Sequence, residues 1–244
     1  MQHFFINQEL CEGKIVITDP ELLHQMKIVM RFEAGDKCVF LDGKGAKANG
    51  VFDIVAKKEA VIVLSEVTHF AVGGRKVNLY IALSKKPATL ELIVQKATEI
   101  GVTDIFPIVT SRCQVKEMRN VPRFLSIISE AAEQSERCVL PVLHEVISWS
   151  DFLKDFPKGE VLVGDAREYD VKLGEYLRKK GGVMEDLKAG MADSVGVVIG
   201  PEGGLTDEEI SESKSKGAKI FLLGENVLRM ETAAISAISM VMFA

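Results

Sequence analysis

No run of this chain stays apolar for the ~18 residues that a membrane span needs, so a membrane partner is not expected. The opening residues Met1–Glu9 lack the basic flank and long apolar core of a secretory leader. Cysteine is scarce: Cys11, Cys38, Cys113 and Cys138 lie far apart and form no CxxC pair. That argues against a disulfide framework or zinc site and suits a reducing cytoplasm, with the thiols buried as apolar side chains. The histidines are equally unhelpful to metal or triad chemistry. His3, His69 and His144 share no spacing with a cysteine or carboxylate, and His24 stands alone. Two nucleotide signatures are missing as well. There is no GxGxxG, and no Gly-Lys-Ser/Thr follows a glycine loop.

What remains is an ordinary soluble composition. The chain has 244 residues, 47% hydrophobic and 27% charged, enough for a sizeable core in one or two domains. The net charge of −5 argues weakly against a nucleic-acid partner, but its distribution is uneven. Residues 71–123 carry 9 Lys+Arg against 4 Asp+Glu, whereas residues 124–244 carry 13 against 21. A basic island of this kind is either a phosphate-facing patch or a chance cluster of solvated lysines.

The first seventy-odd residues read as short strands with turn punctuation. Lys14–Thr18, Asp36–Leu41, Gly50–Val55 and Ala60–Leu64 are strands, and Pro20–Arg31 is a helix with Leu23, Met26, Val29 and Met30 on one face. This succession predicts a small, mostly antiparallel barrel. Val72-Gly73-Gly74 reads as a linker, giving domains at 1–72 and 73–244. From Val77 strands alternate with helices, the mark of an α/β fold with a mostly parallel sheet. Pro87 opens a helix that Gly101 caps, and Ile105–Val109 is a strand whose Pro107 suggests a sheet edge. Pro122–Cys138 is a helix, Val161–Val163 a short strand, and 181–194 a loop or insert.

The last fifth is the most informative. Val195–Ile199 runs into Gly200-Pro201-Glu202-Gly203-Gly204, and Thr206 with Glu209 forms a capping box behind it. The glycine loop is either a tight turn feeding that helix or a loop that lets a ligand approach the main chain. Ile220–Leu223 runs into Gly224-Glu225-Asn226-Val227-Leu228-Arg229-Met230-Glu231-Thr232-Ala233. The closing helix is so apolar and small-residued that it must be buried and closely packed. Glu231 suits a helix N-terminus electrostatically, but Arg229 does not, so Arg229 needs another reason to be there. Lys85-Lys86 and Ser111-Arg112 leave strands by the same sheet edge, the edge at which open α/β sheets bind ligands. Arg112 is the strongest phosphate or base-edge candidate, with its planar fork.

These stretches resemble the ribosomal small-subunit RNA methyltransferase E family of the SPOUT superfamily. The likeness is carried by "IGPEGG" (Ile199–Gly204) and Leu228–Ala233. It continues in Gln95–Val102, Ser111-Arg112-Cys113, Glu130–Ser135 and, near the start, Phe4-Phe5 and His24–Arg31. The resemblance implies a deep trefoil knot at the C-terminus, a preceding PUA-like barrel that binds RNA, and a cytoplasmic homodimer. It implies S-adenosylmethionine as cofactor and methylation of N3 of a uridine in 16S ribosomal RNA of the 30S subunit. The cofactor would lie against Val163, Gly164, Ile199, Gly200, Pro201, Glu202, Gly203, Leu222, Leu223, Gly224, Val227, Leu228, Arg229, Thr232 and Ala233. RNA contacts fall to Arg31, Lys85, Lys86, Arg112 and Lys116. Arg112 or Arg229 would stabilise a developing uracil anion, and Glu202 or Glu231 would accept the N3 proton. Three positions depart from the family pattern: His3 for a usual Arg, Ser111 for a common Glu, and Glu136 for a usual Gly. Two other readings compete. One is an assembly factor that binds RNA and the cofactor without turnover, and the other an α/β enzyme using a nucleotide cofactor.

Overall fold

The computed structural model describes residues 1–6, 8–70, 76–179 and 194–244. The chain divides into two compact units, Met1–Gly73 with Ala132–Leu140, and Gly74–Ala131 with Pro141–Ala244. Membership of Ala132–Leu140 in the first unit has no signal in its own sequence. The expected linker at 72–74 and most of the expected insert at 181–194 lie outside the described residues.

The first unit holds one five-stranded sheet. Its strands are β1 (His3–Phe5), β2 (Gly13–Ile17), β3 (Lys37–Leu41), β4 (Ala46–Val55) and β5 (Ala60–His69), in the order β1-β3-β4-β5-β2. Among the described residues of this unit, only β1 and β3 pair in parallel. β4 begins before Gly50 because Gly50 is an interior strand residue: a Cβ there would sit 2.7 Å from the Phe40 ring. The helix expected at Pro20–Arg31 is shorter. α1 (Pro20–His24) is capped by the Asp19 side chain, widens into a π-helical turn (Gln25–Val29), and ends before Arg31 at φ 59°. Phe4, Phe40, Phe52, Met26 and Ile62 fill the core.

In the same unit, two departures from the family pattern meet. Glu136 adopts φ 56°, a left-handed conformation that favours glycine. Its carboxylate lies 3.8 Å from Nε2 of buried His3. Burial lowers the His3 imidazole below its ordinary value, with Glu136 acting in the opposite direction.

The second unit is an α/β layer structure. Its strands are β6 (Val77–Ala82), β7 (Asp104–Val109), β8 (Val142–Leu143), β9 (Ile147–Ser148), β10 (Glu160–Gly164), β11 (Val171–Lys172), β12 (Val195–Ile199) and β13 (Lys219–Leu222). The sheet order is β11-β13-β10-β12-β6-β7-β8, with β9 also on β7, and its strand pairs are parallel. Its helices are α2 (Pro87–Ile100), α3 (Val121–Gln134, of which residues 132–134 belong to the first unit), α4 (Trp149–Lys154), α5 (Leu173–Lys179), α6 (Asp207–Ser215) and α7 (Met230–Phe243). α2 begins at Pro87 and its C-cap Gly101 sits at φ 109°, as the sequence signals. The helix expected at Pro122–Cys138 ends at Gln134.

The edge position expected for Ile105–Val109 is not found. β7 pairs with β6 on one side and with β8 and β9 on the other. Pro107 is tolerated because β8 meets Asp104 and Ile105 while β9 meets Ile108 and Val109, so the missing N–H falls in the gap between them. The closing helix α7 buries one face, Met230, Ala234, Ala237, Ile238 and Val241, against α2, β6 and β12. Its alanines allow that close approach, while Phe243 at its end is 75% exposed. Among the described residues no helix is long and apolar enough to cross a membrane, and no group of three His, Cys, Asp or Glu could hold a metal.

Candidate active site

Parallel pairing aligns the carboxyl ends of β6, β10, β12 and β13, and each strand delivers a loop to that one edge. In β12 the residues Val195 to Ile199 are all buried, so that strand carries no polar side chain until it stops. Chemistry therefore begins at the loops. They enclose a cavity of ≈540 Å³ lined by residues 164–167, 199–205, 221–223 and 226–231, with Ala233, Lys86, Thr89 and Arg112. Its base is apolar: Ile199, Leu205, Phe221, Leu222 and Met230 are all buried.

Glycine stands where this base is tightest. A Cβ on Gly200 would stand 3.1 Å from Leu205 Cγ and 3.2 Å from its backbone N, and one on Gly164 would stand 3.1 Å from the Phe221 ring. Gly204 takes φ 73° and its N–H bonds the Pro201 carbonyl, closing the loop as a turn. The tight-turn reading of this loop is met, and the same turn forms part of the cavity wall.

Side-chain bonds hold the loops to one another. Arg112 Nη1 donates to the carbonyls of Gly203 (2.9 Å) and Leu205 (2.8 Å), and Gly203 packs on the arginine stem. Glu209 is 2% exposed; its Oε1 accepts from Ser111 N at 2.7 Å and its Oε2 from Thr206 N at 2.8 Å. The capping box expected at Thr206 is present, and it does a second task by tying the β7 loop to α6. Glu202 Oε1 lies 2.5 Å from Ser84 Oγ, just beyond the end of β6.

The proposed catalytic residues Arg112, Glu202, Arg229 and Glu231 all line the cavity. Arg229 is the N-cap residue of α7: its carbonyl accepts from Ala233 N at 2.8 Å, but its side chain makes no cap bond and no other hydrogen bond or ion pair among the described residues. Glu231 lies in the first helical turn. Of the expected cofactor residues, Gly164, Ile199 to Gly203, Leu222, Leu223, Val227, Leu228, Arg229 and Ala233 line it. Val163 lies fully buried in β10, and Gly224 and Thr232 stand outside the lining. Of the expected RNA contacts, Lys86 and Arg112 line the cavity, whereas Lys85 does not and Lys116 donates to the Thr110 carbonyl at 3.4 Å. Arg31 belongs to the other unit.

Sequence reasoning missed Thr89, Gly204, Leu205, Phe221, Asn226, Met230 and the 165–167 turn. The turn had a signal. Asp165 Oδ1 accepts from the N–H groups of Arg167 and Glu168 at 2.7 and 2.8 Å, the usual use of an Asp just past a strand. Arg167 brings a fourth cation to the rim, with Lys86, Arg112 and Arg229, and nothing in its surroundings marked it. His144, left without a partner by spacing, meets one across the sheet: Nε2 is 2.7 Å from Asp104 Oδ1, and its ring stacks on Phe106 at 3.9 Å.

An RNA methyltransferase domain model matches residues 74–242. A ribosomal RNA small subunit methyltransferase E of Rickettsia conorii is 30% identical over 240 residues, covering 97% of this chain and 93% of that one. Another of the same name from Bacillus subtilis is 31% identical over 257 residues, covering 100% and 96%. A protein of Legionella pneumophila, solved in complex with bound cofactor SAM (S-adenosylmethionine), superposes with a TM-score of 0.84 at 28% identity over 98% of this chain and 96% of that one. Matched almost end to end and bearing that domain, the chain belongs to the ribosomal RNA small subunit methyltransferase E family of RNA methyltransferases.

Proposed function

We propose that this chain transfers the methyl group of S-adenosylmethionine to N3 of a uridine in 16S ribosomal RNA. The observation that carries this reading is the cavity at the carboxyl edge of the parallel sheet, where a glycine loop, two further strand-end loops and the start of α7 converge. The donor fits its lining. A volume of ≈540 Å³ suits a ligand of that size, and the base of Ile199, Leu205, Phe221 and Leu222 suits an adenine ring. Gly164, Ile199–Gly203, Leu222, Leu223, Val227, Leu228 and Ala233 would hold it. When bound, the donor supplies an electrophilic methyl carbon: the N3–C bond forms as the C–S bond breaks, and sulfur keeps the electron pair.

The residues of the chain position the reactants and move the proton. Glu202, held by the Ser84 hydroxyl, accepts the N3 proton. Arg229, uncommitted among the described residues, faces the charge that grows on a uracil oxygen. Arg112 serves chiefly as the clamp of the glycine loop, because its Nη1 is spent on two loop carbonyls. The target base must leave its stack to enter.

The same reading describes residues 73–244 as a SPOUT domain closed by a deep trefoil knot, and residues 1–72 as a PUA-like barrel. β12 lying between β10 and the much earlier β6 is consistent with such threading. Arg31, Lys85, Lys86 and Lys116 would contact RNA phosphates of the 30S subunit. A cytoplasmic homodimer would cover the exposed end of α7 at Phe243 and the exposed Leu92 of α2. The test is incubation of the purified protein and methyl-labelled donor with 30S particles, followed by nucleoside mapping. Label on uridine N3 is expected. Label on another base, or donor binding without transfer, overturns the reading.

A further inference from the structure

We propose that Ser84 is a positioning residue for methyl transfer, acting by holding the Glu202 carboxylate toward the substrate base. The inference rests on the reading of Glu202 as proton acceptor. Ser84 lies beyond the end of β6, 7% exposed, and is not part of the cavity lining. Its Oγ makes two bonds. It accepts from Lys86 N at 3.0 Å, and it meets Glu202 Oε1 at 2.5 Å.

A serine hydroxyl has one proton and two lone pairs. The Lys86 amide fills one lone pair, so the link to Glu202 carries a single proton. When Glu202 is ionised, that proton belongs to Ser84 and points at the carboxylate. When Glu202 takes the N3 proton on Oε2, Oε1 becomes the carbonyl oxygen of the acid and still accepts from the Ser84 hydroxyl. The link therefore survives both states of the acceptor, and the glutamate keeps its place through the step. The amide contact of Lys86 in turn holds the Ser84 oxygen and turns its proton away from that amide, which favours the bond to Glu202. Glu202 sits on a glycine-flanked loop and is itself exposed. Without this anchor its side chain would sample many rotamers, only some of which face the base.

A Ser84 that merely capped the turn before α2 would affect folding alike whatever stands at position 202. A double-mutant cycle separates the two roles. Single-turnover transfer to 30S particles at saturating S-adenosylmethionine is measured for wild type, Ser84→Ala, Glu202→Gln and the double variant. Donor affinity is measured alongside. Glu202→Gln is expected to slow transfer about 100-fold or more, as loss of a general base does. Ser84→Ala is expected to slow it about tenfold, with donor affinity within twofold of wild type. In the Glu202→Gln background, Ser84→Ala should add less than about twofold. Ser84→Thr keeps the hydroxyl and should restore most of the rate. If Ser84→Ala does not fold, Ser84→Cys takes its place, keeping the approximate volume while losing the strong donor. An undiminished rate in Ser84→Ala, or an equal loss in both backgrounds, overturns the role of Ser84 while leaving Glu202 in place. A wild-type rate in Glu202→Gln overturns the acceptor reading itself, and the Ser84 inference with it.

Discussion

Replacing Glu209 by Gln tests whether the site is built by a single buried carboxylate. Glu209 is 2% exposed, and each of its oxygens accepts a backbone N–H: Ser111 N at 2.7 Å and Thr206 N at 2.8 Å. Glutamine has almost the same shape but offers only one acceptor. Its NH₂ must face either the Ser111 or the Thr206 N–H, so one bond is lost and two donors are opposed. A charge-assisted bond contributes about 1.5–3 kcal/mol, and an orphaned buried N–H costs about 1–3 kcal/mol. These overlap, so the expected loss is about 2–4 kcal/mol. For a chain of this size that lowers the thermal midpoint by roughly 4–16 °C. Hydrogen exchange localises the effect. The amides of Ser111 and Thr206 should lose protection together, although they are far apart in sequence. Thr206→Ala is the control. It removes the cap acceptor bonded by Glu209 N at 3.1 Å and should cost only about 1 kcal/mol. A Glu209→Gln protein within about 0.5 kcal/mol of wild type, with both amides still protected, would refute the reasoning.

Three further outcomes follow from the geometry. Arg229→Ala should slow methyl transfer about 100-fold or more while leaving the thermal midpoint in place, because the Arg229 side chain bonds nothing among the described residues; unchanged transfer would make it a bystander. Glu136→Gly should stabilise the first unit by about 0.5–1 kcal/mol in urea titrations, since φ 56° costs a glutamate strain that glycine escapes. Finally, burial lowers the folded-state value of His3, so the unfolded chain binds that proton first as pH falls. Its contribution is held above about pH 6.5 and lost as pH drops through that value, and His3→Gln should flatten this slope in stability between pH 7.5 and 5.5.

Much of the α/β unit is written locally. Pro87 and Gly101 bound α2, Thr206 and Glu209 start α6, and a continuous apolar run marks β12. Boundaries failed where a tertiary contact outvoted a local signal. Gly50 reads as a strand start until the Phe40 ring is seen to cover it, and Pro107 reads as an edge marker until β8 and β9 are seen to leave it a gap. The site divides in the same way. The glycine loop and Arg229 announce themselves by residue type. Ser84 and Arg167 do not, because a serine or an arginine in a loop is ordinary until its neighbour is known.

The sequence by itself determined several of the longer elements, among them β6, β12, α2 and α6, and that two loops near the C-terminus would share one edge. Those follow from periodicity, caps and turns, whose causes lie within a few residues of one another. Only the tertiary structure decided that Ser84 reaches Glu202, that Ser111 is held by Glu209, and that Arg112 spends a nitrogen on loop carbonyls rather than keeping it all for phosphate. Those bonds join residues about a hundred positions apart, and a hydrogen bond depends on distance in space, which no local pattern encodes.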